Sequence, residues 1–277
     1  MNPVFTCFLV NGKAIEDSSA FQPEKNRSFL FGDGVFETMR MDQGRLLFPA
    51  LHFNRLTRSL NALGIETAGL PQPEDLEKLI GSRVNLPSLR IKLLAYRDSQ
   101  GAYVPETNKA GFYVQVFPLA QQLSFSDQGL AVGTYEEQKK TAGALSWMKS
   151  TSSLFYVMAG IHAQKQGWDD CLLLNHKNEL MEGSSSNLFA LMDGRWITPP
   201  ISSGCIEGVL RKALMDVMEQ KGIPFYEVSI TKQDVLHADE LILTNAVSGI
   251  RWIERFEEKT YRCKESKNLF EAVNSLS

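Results

Sequence analysis

The 277-residue chain has few of the residues that build disulfide frameworks or metal centres. Its four cysteines lie far apart and form no CxxC pair, and its four histidines show no ligand spacing. We therefore predict neither a disulfide framework nor a metal site. Widely spaced cysteines of this kind are typical of reduced thiols, so we expect a cytoplasmic location.

Long apolar runs and a strong net charge are also missing. No apolar run approaches the ~20 residues that a membrane-spanning helix needs, and the N-terminus lacks the basic and apolar regions of a signal peptide. The formal net charge is −3, which gives no reason to expect nucleic acid or a membrane surface as a partner. Hydrophobic residues make up 43% of the chain and charged residues 22%, as in a typical globular protein.

The order of the predicted elements favours a mixed α/β (α+β) fold. Strand-like and helix-like segments alternate, but hairpin patterns such as the one around Asp193-Gly194 are frequent. A mixed sheet is therefore favoured over a doubly wound parallel one. The run Ser150–Gln166 predicts a helix, and Gly208–Lys221 predicts a second, amphipathic helix.

A polar, irregular stretch divides the chain into two predicted domains. We expect a smaller N-terminal α/β domain over residues 1–120 and a larger C-terminal α/β domain over residues 134–277. Residues 121–133 form the predicted linker, since polar residues without periodicity are typical of connecting segments.

The most informative polar string is Glu182-Gly183-Ser184-Ser185-Ser186-Asn187. It lies between two apolar, strand-like runs, Cys171–Leu174 and Leu188–Met192. One carboxylate followed by short polar side chains suits a protonated ring nitrogen and the substituents of that ring. A plain strand-end acid is the alternative, because Gly-Ser-Ser is also turn composition.

Lys149 is the only charged residue between Thr141 and Ile161. An amine in apolar surroundings loses hydration, which favours its neutral, nucleophilic form. A lysine together with a distant carboxylate on a strand is the minimum set for pyridoxal phosphate (PLP): the lysine forms a Schiff base and the acid holds the pyridinium proton. The alternative is a lysine whose stem packs on apolar surface while its head reaches water.

Three further segments could bind a phosphate group. Arg55 lies in the first turns of a predicted helix and could grip phosphate with paired donors, or belong to a solvated helix face as Arg58 does. The loop 202–208 leads into a helix, whose first N–H groups attract anions. Thr244-Asn245-Ala246 ends a strand, where either a site or a simple turn is expected.

Taken in this order, the segments resemble the class IV aminotransferase family, the fold-type-IV PLP enzymes, over nearly the whole chain. The matching segments are the early strand motif Phe31–Thr38, the phosphate-arginine helix His52–Arg55, the Schiff-base lysine Lys149, the ring-nitrogen motif Glu182–Asn187, and the two phosphate loops Ile206-Glu207 and Asn245-Ala246.

This resemblance implies a two-domain, D-amino acid aminotransferase-like fold with PLP in the cleft and a homodimer that acts on a small amino substrate. It further implies that Lys149 and Thr38 are catalytic and that Phe36, Thr38 and Arg97 contact substrate. The implied cofactor-binding residues are Lys149, Glu182, Arg55, Ser186, Asn187, Ile206, Glu207, Asn245 and Ala246.

Members of this family differ in the reaction that they catalyse. Thr38, the loop Arg97–Tyr103 and the step Asn245-Ala246 resemble those of 4-amino-4-deoxychorismate lyase, which eliminates pyruvate to give 4-aminobenzoate in folate biosynthesis. The string that begins at Glu182 is instead close to that of D-amino acid aminotransferases. An aminotransferase of D-amino or branched-chain amino acids with a 2-oxo acid acceptor is therefore the alternative, followed by a non-catalytic PLP-binding relative.

Overall fold

The computed structural model describes residues 2–10, 13–16 and 26–274. These residues form two compact units. Unit 1 comprises Met1–Gln122 and Met148–Ser152, and unit 2 comprises Leu123–Trp147 and Ser153–Ser277. Each unit has its own sheet.

Unit 1 is built on a six-stranded sheet with the strand order β2-β1-β6-β5-β3-β4. Its elements are β1 (Phe5–Val10), β2 (Lys13–Ile15), α1 (Arg27–Phe31), β3 (Gly34–Asp42), β4 (Arg45–Leu46), α2 (Pro49–Ala62), α3 (Pro73–Gly81), β5 (Ser88–Arg97) and β6 (Ala110–Pro118). All strand pairs are antiparallel.

The two faces of this sheet differ because successive side chains of a strand point to opposite sides. Met39, Ile91 and Val114 belong to the buried set and are fully inaccessible. Helix α2 contacts β3. Phe36 and Thr38, which alternate with the buried residues of β3, are only half-buried. One face of β3 therefore belongs to the core, while the side chains on the other face are partly accessible.

Unit 2 is built on a nine-stranded sheet. Its strand order is β12-β11-β10-β13-β14-β7-β8-β9, and β15 pairs with β14. Its elements are β7 (Leu130–Lys140), α4 (Leu154–Gln166), β8 (Asp170–Asn175), β9 (Leu180–Gly183), β10 (Asn187–Met192), β11 (Arg195–Thr198), α5 (Val209–Lys221), β12 (Phe225–Glu227), α6 (Lys232–His237), β13 (Glu240–Asn245), β14 (Gly249–Phe256), β15 (Lys259–Thr260) and α7 (Glu265–Asn274).

The sheet of unit 2 is mixed, as predicted. Strand β7 runs parallel to both β14 and β8, and β11 runs parallel to β12, while the other paired strands are antiparallel. Leu172, Leu188, Leu241 and Ile253 form part of its core. Strands β8 and β10 are buried along almost their whole length, which explains their continuous apolar sequences.

Two details differ from the predicted element boundaries. Residues 130–133, assigned above to a linker, lie in β7. The predicted helix Ser150–Gln166 begins only at Leu154, because Ser150 forms a bridge with Val35 of β3.

Within the described ranges, no helix is long and apolar enough to cross a bilayer.

Candidate active site

The first group of candidate residues surrounds the ring of Phe36 in unit 1. Thr38 of β3 lies directly opposite Lys92 of β5 in the antiparallel register. The ammonium groups of Lys92 and Lys149 lie 4.7 and 4.8 Å from the centroid of the Phe36 ring. We call Phe36, Thr38, Lys92 and Lys149 the Phe36 cluster, since the structure brings the predicted Schiff-base lysine together with the two predicted substrate contacts of β3.

Backbone hydrogen bonds hold Lys149 in this position. The Phe36 N–H group donates to the Lys149 carbonyl at 2.9 Å, and the Thr151 N–H group donates to the Gly34 carbonyl at 3.0 Å. The segment around Lys149 is therefore joined to β3 by backbone hydrogen bonds and by an isolated antiparallel bridge between Val35 and Ser150. Lys149 is half-buried against an aromatic ring, so it is not a surface lysine whose head simply reaches water.

Lys92 was missed in the sequence analysis. It is half-buried, and burial together with the nearby Arg90 lowers its pKa. Its position in the strand could have revealed it, because Lys92 and Arg90 alternate with the apolar residues Ile91 and Leu93 and therefore lie on the same face of the strand.

A second group, the Glu37 cluster, lies on the core face of β3. The Glu37 carboxylate accepts hydrogen bonds from Arg55 at 2.7 Å (Nε) and 2.5 Å (Nη2), and lies 2.6 Å from His52 Nδ1. Burial alone raises the pKa of Glu37, but the Arg55 charge and the His52 hydrogen bond outweigh it and lower that pKa to about 2. Burial lowers the pKa of His52, so the ring is neutral and donates from Nδ1 to the carboxylate.

Arg55 is thus a buried residue and not part of a solvated helix face, whereas Arg58 is exposed. Its Nε and Nη2 groups donate to Glu37. Its predicted contact with phosphate stays a prediction. The structure adds a role in neutralising Glu37.

Arg97 has extensive contacts inside unit 1. Its Nε donates to Asp33 at 3.0 Å, Nη2 donates to the Leu63 carbonyl at 2.7 Å, and Nη1 donates to the Asn108 side chain and the Gly64 carbonyl. Arg97 is 7% exposed. These contacts give it a structural role, and the predicted contact with a substrate carboxylate has no support from this geometry.

A third group, the Glu182 cluster, lies in unit 2. The Glu182 carboxylate accepts a hydrogen bond from the Tyr156 hydroxyl at 2.7 Å on Oε1 and one from the Ile206 N–H group at 2.9 Å on Oε2. The Lys140 ammonium lies 3.7 Å from Oε1. Glu182 is 2% exposed, so it is more than an acid that caps a turn. Sequence analysis did not identify Tyr156 or Lys140.

The polar residues after Glu182 are fixed by a buried aspartate. The Asp170 carboxylate accepts from the Ser184 hydroxyl at 2.6 Å and the Ser184 N–H group at 2.8 Å, and from the Ser186 hydroxyl at 2.9 Å. The Asn187 side chain donates to the Ile206 carbonyl at 2.8 Å. Ser186 and Asn187 therefore organise the loop. Their predicted contact with the cofactor remains a prediction.

The loop before α5 uses the two N–H groups that were predicted to bind phosphate. The Ile206 N–H group donates to Glu182, and the Glu207 N–H group donates to the Trp147 carbonyl at 3.0 Å. Helix α5 begins at Val209 with Gly208 as its N-cap, and no side chain in the described ranges caps it. The first N–H groups of a helix have no partner inside the helix, so the anion-binding end of this segment is at residues 209–211.

The Thr244 hydroxyl is a further group that is suited to bind an anion. Thr244 lies opposite Asn187 in the strand register, is 1% exposed, and its hydroxyl has no hydrogen-bond partner in the part of the chain that the structure describes. Asn187 in turn sits so close to Gly208 that a Cβ there would lie 1.8 Å from the Asn187 side-chain oxygen. The Asn245 side chain accepts hydrogen bonds from the N–H groups of residues 247 and 248 and shapes a turn. The predicted contact of Asn245 and Ala246 with the cofactor stays a prediction.

Comparison with known proteins identifies the family of the chain. Residues 34–256 match the family model described as Amino-transferase class IV. The D-alanine aminotransferase of Staphylococcus aureus is 27% identical over 255 residues, which cover 87% of this chain and 86% of that protein.

Solved structures share the fold. Branched-chain aminotransferase from Thermoproteus uzoniensis gives a TM-score of 0.87 at 22% identity, over 99% of this chain and 95% of that one. The "Putative 4-amino-4-deoxychorismate lyase" of Legionella pneumophila gives 0.82 at 25% identity, over 91% and 94%.

The chain therefore belongs to the class IV aminotransferase family. The predictions of family and of a fold-type-IV, mixed α/β architecture are confirmed. The predictions of a PLP-dependent enzyme and of PLP as cofactor are confirmed at the level of the family.

Proposed function

We propose that this protein is a PLP-dependent 4-amino-4-deoxychorismate lyase that releases pyruvate and forms 4-aminobenzoate. The observation that carries the choice of a lyase is the pair Thr38 and Lys92 beside Lys149 in the Phe36 cluster. The substrate of such a lyase carries two carboxylates, and the half-buried Lys92 is a suitable partner for one of them.

Each unit provides residues that suit particular groups of PLP. Unit 2 provides a buried carboxylate, Glu182, for a ring nitrogen. It also provides the buried Thr244 hydroxyl, which has no hydrogen-bond partner among the described residues, and the start of α5, which no described side chain caps; both suit the phosphate. Unit 1 provides Lys149 as the tethering amine and Arg55 as a further phosphate contact.

When bound, PLP supplies an aldehyde that condenses with amines and a protonated ring that accepts electrons from a breaking bond. Lys149 would hold the cofactor aldehyde and would take the proton from the reacting ring carbon of the substrate. Glu182 would hold the cofactor through its pyridine nitrogen and keep that nitrogen protonated. Thr38 donates a hydrogen bond to the oxygen of the leaving pyruvate group, and Lys92 orients a substrate carboxylate.

An aminotransferase of D-amino acids is the second candidate. It is favoured by the match to D-alanine aminotransferase over most of both chains. The match to the lyase-like structure covers a similar share, so overall similarity does not separate the two reactions. Branched-chain amino acids are the less favoured donors.

Incubation of the holoenzyme with 4-amino-4-deoxychorismate tests the proposal. We expect 4-aminobenzoate and pyruvate in equal amounts, and much less glutamate when D- or L-amino acids are supplied with 2-oxoglutarate. Lys92→Met is expected to raise the KM for aminodeoxychorismate more than it lowers kcat, because it removes a binding contact. Formation of glutamate without any 4-aminobenzoate would establish the aminotransferase instead.

We also propose a homodimer. Both units expose large apolar side chains. The exposed fractions are 70% for Phe29, 90% for Tyr103 and 82% for Val104 in unit 1, and 72% for Leu154 in unit 2. Exposed apolar side chains at these levels are suited to burial against a second copy. Sedimentation equilibrium tests this proposal, and a monomer at micromolar concentration would contradict it.

A further inference from the structure

Lys140 is a half-buried cation next to the proposed ring-nitrogen acid. It is the last residue of β7. Its ammonium lies 2.6 Å from the Tyr156 hydroxyl, 3.7 Å from Glu182 Oε1 and 3.4 Å from the Ser146 carbonyl. The side chain of Lys140 is 17% exposed, compared with 3% for that of Glu182.

The donor and acceptor roles in this group are determined by chemistry. An ammonium can only donate, so the Tyr156 oxygen must accept from Lys140. The Tyr156 proton is then available for Glu182 Oε1, which lies 2.7 Å away. Because the Ile206 N–H group donates to Oε2, both carboxylate oxygens act as acceptors. Hydrogen bonds donated to both oxygens favour the ionised form of the carboxylate.

The charges around Lys140 support this assignment. Glu182 faces it from β9, Tyr156 from α4 and Cys205 from the loop before α5. Burial raises the pKa of Tyr156, and it raises the pKa of Cys205 to about 12, so both groups stay neutral. Burial lowers the pKa of Lys140, but the Glu182 charge opposes this effect. Lys140 and Glu182 are therefore the two charges of the group.

We propose that Lys140 is a positioning residue that acts through Tyr156 to keep Glu182 ionised and hydrogen-bond accepting. The consequence for the cofactor rests on the proposed function: an acceptor-only Glu182 binds the pyridine ring in its protonated form. Lys140 itself need not touch the cofactor or the substrate.

The first test uses the cofactor-free protein labelled with [δ-13C]glutamate. NMR titration follows the Glu182 carboxylate, whose resonance is identified by its loss in Glu182→Gln. We expect Glu182 to titrate at a higher pH in Lys140→Met than in the wild type, because a nearby cation favours the charged carboxylate. Lys140→Arg should keep the wild-type titration.

Lys139→Met is the matched control, because Lys139 is exposed and donates to the Asn178 side chain. Its titration of Glu182 should equal that of the wild type. The proposal is overturned if Glu182 titrates at the same pH in Lys140→Met and the wild type, or if Lys139→Met shifts it as much. Should Lys140→Met not fold, Lys140→Gln carries the same expectation, since it keeps a polar head without the charge.

The second test measures PLP binding by fluorescence as a function of pH. In Lys140→Met we expect affinity to fall as the pH is lowered through the range in which Glu182 becomes protonated, and to match the wild type above that range. An equal loss at every pH would indicate a packing role and overturn the proposal. Failure of the wild type to bind PLP would instead refute the proposed function, while the NMR result would still stand.

Discussion

Two buried glutamates, one in each unit, show how different surroundings give the same side chain different roles. Glu37 and Glu182 are both 2% exposed. Glu37 accepts two hydrogen bonds from a guanidinium and lies against a histidine. Glu182 accepts from a tyrosine and a backbone amide, with an ammonium at the longer distance of 3.7 Å.

The difference concerns how the buried charge is compensated. The charge of Glu37 is matched by a guanidinium that binds it through two nitrogens, so removal of either partner leaves an uncompensated buried charge. The charge of Glu182 is stabilised mainly by neutral donors, and a protonated ring would complete the compensation. Glu37 is therefore expected to serve stability, and Glu182 catalysis.

The largest effect is expected from removal of the Lys149 amine. The catalytic role of Glu182 depends on this amine, because the amine holds the cofactor. Lys149→Ala should lower turnover by at least about 10²–10⁴-fold, because it removes both the tether and the proposed general base. Stability should change little, since the backbone contacts of Lys149 with β3 do not involve its side chain. Turnover assays and reduction with borohydride check this, and wild-type activity in the variant would refute the role of Lys149.

The comparison itself is tested by the same substitution at both glutamates. Glu37→Gln should lower the free energy of unfolding by about 3–5 kcal/mol, since Arg55 loses its buried counter-charge. Glu182→Gln should cost about 1 kcal/mol, a typical hydrogen-bond contribution, yet slow proton transfer in single-turnover experiments. Urea unfolding and stopped-flow absorbance measure the two effects. Equal losses of stability would remove the distinction between the two sites.

Acid should weaken the Glu37 cluster. The pKa of Glu37 is about 2 in the fold and 4.5 is its ordinary value, so its contribution to stability is complete above about pH 4.5 and is lost as the pH falls towards 2. The pKa of His52 is also lowered, so its contribution begins to decline below its ordinary value of 6.5. The free energy of unfolding should fall by a few kcal/mol, on the order expected from such shifts, between pH 7 and pH 3.

Glu37→Gln is the control for this pH dependence, because a glutamine does not titrate. Its unfolding free energy should depend less steeply on pH over the same range. An identical pH dependence in both proteins would show that other groups cause the acid sensitivity.

The smallest effect concerns the cofactor affinity at Arg55. Arg55→Lys keeps the charge but loses the paired geometry of the guanidinium. PLP should bind less tightly by about 1.5–3 kcal/mol, the value of a hydrogen bond to a charged group. Arg58→Lys, on the exposed side of the same helix, should leave the affinity measured by fluorescence unchanged. Equal affinities in both variants would restrict Arg55 to its contact with Glu37.

Much of the local structure was predictable, because local rules decide it. The hairpin at Asp193-Gly194 joins β10 to β11, and α5 ends at Lys221 before a glycine, both as expected from turn and helix-end residues. The start of α4 was predicted four residues too early. Ser150 and Thr151 contact β3 instead, and these contacts join residues that are distant in sequence.

Residue type and order were sufficient to recognise the family and the central residues, because Lys149 and the string after Glu182 are characteristic in both respects. The partners of each charged group depend on the folded structure. It assigned Arg97 to internal contacts, brought Lys92 to the ring of Phe36 and Lys140 to Glu182, and located the helix end that suits phosphate at Val209. Hydrogen bonds and ion pairs of this kind depend on distances of a few ångströms between segments far apart in the chain, and no local pattern encodes such distances.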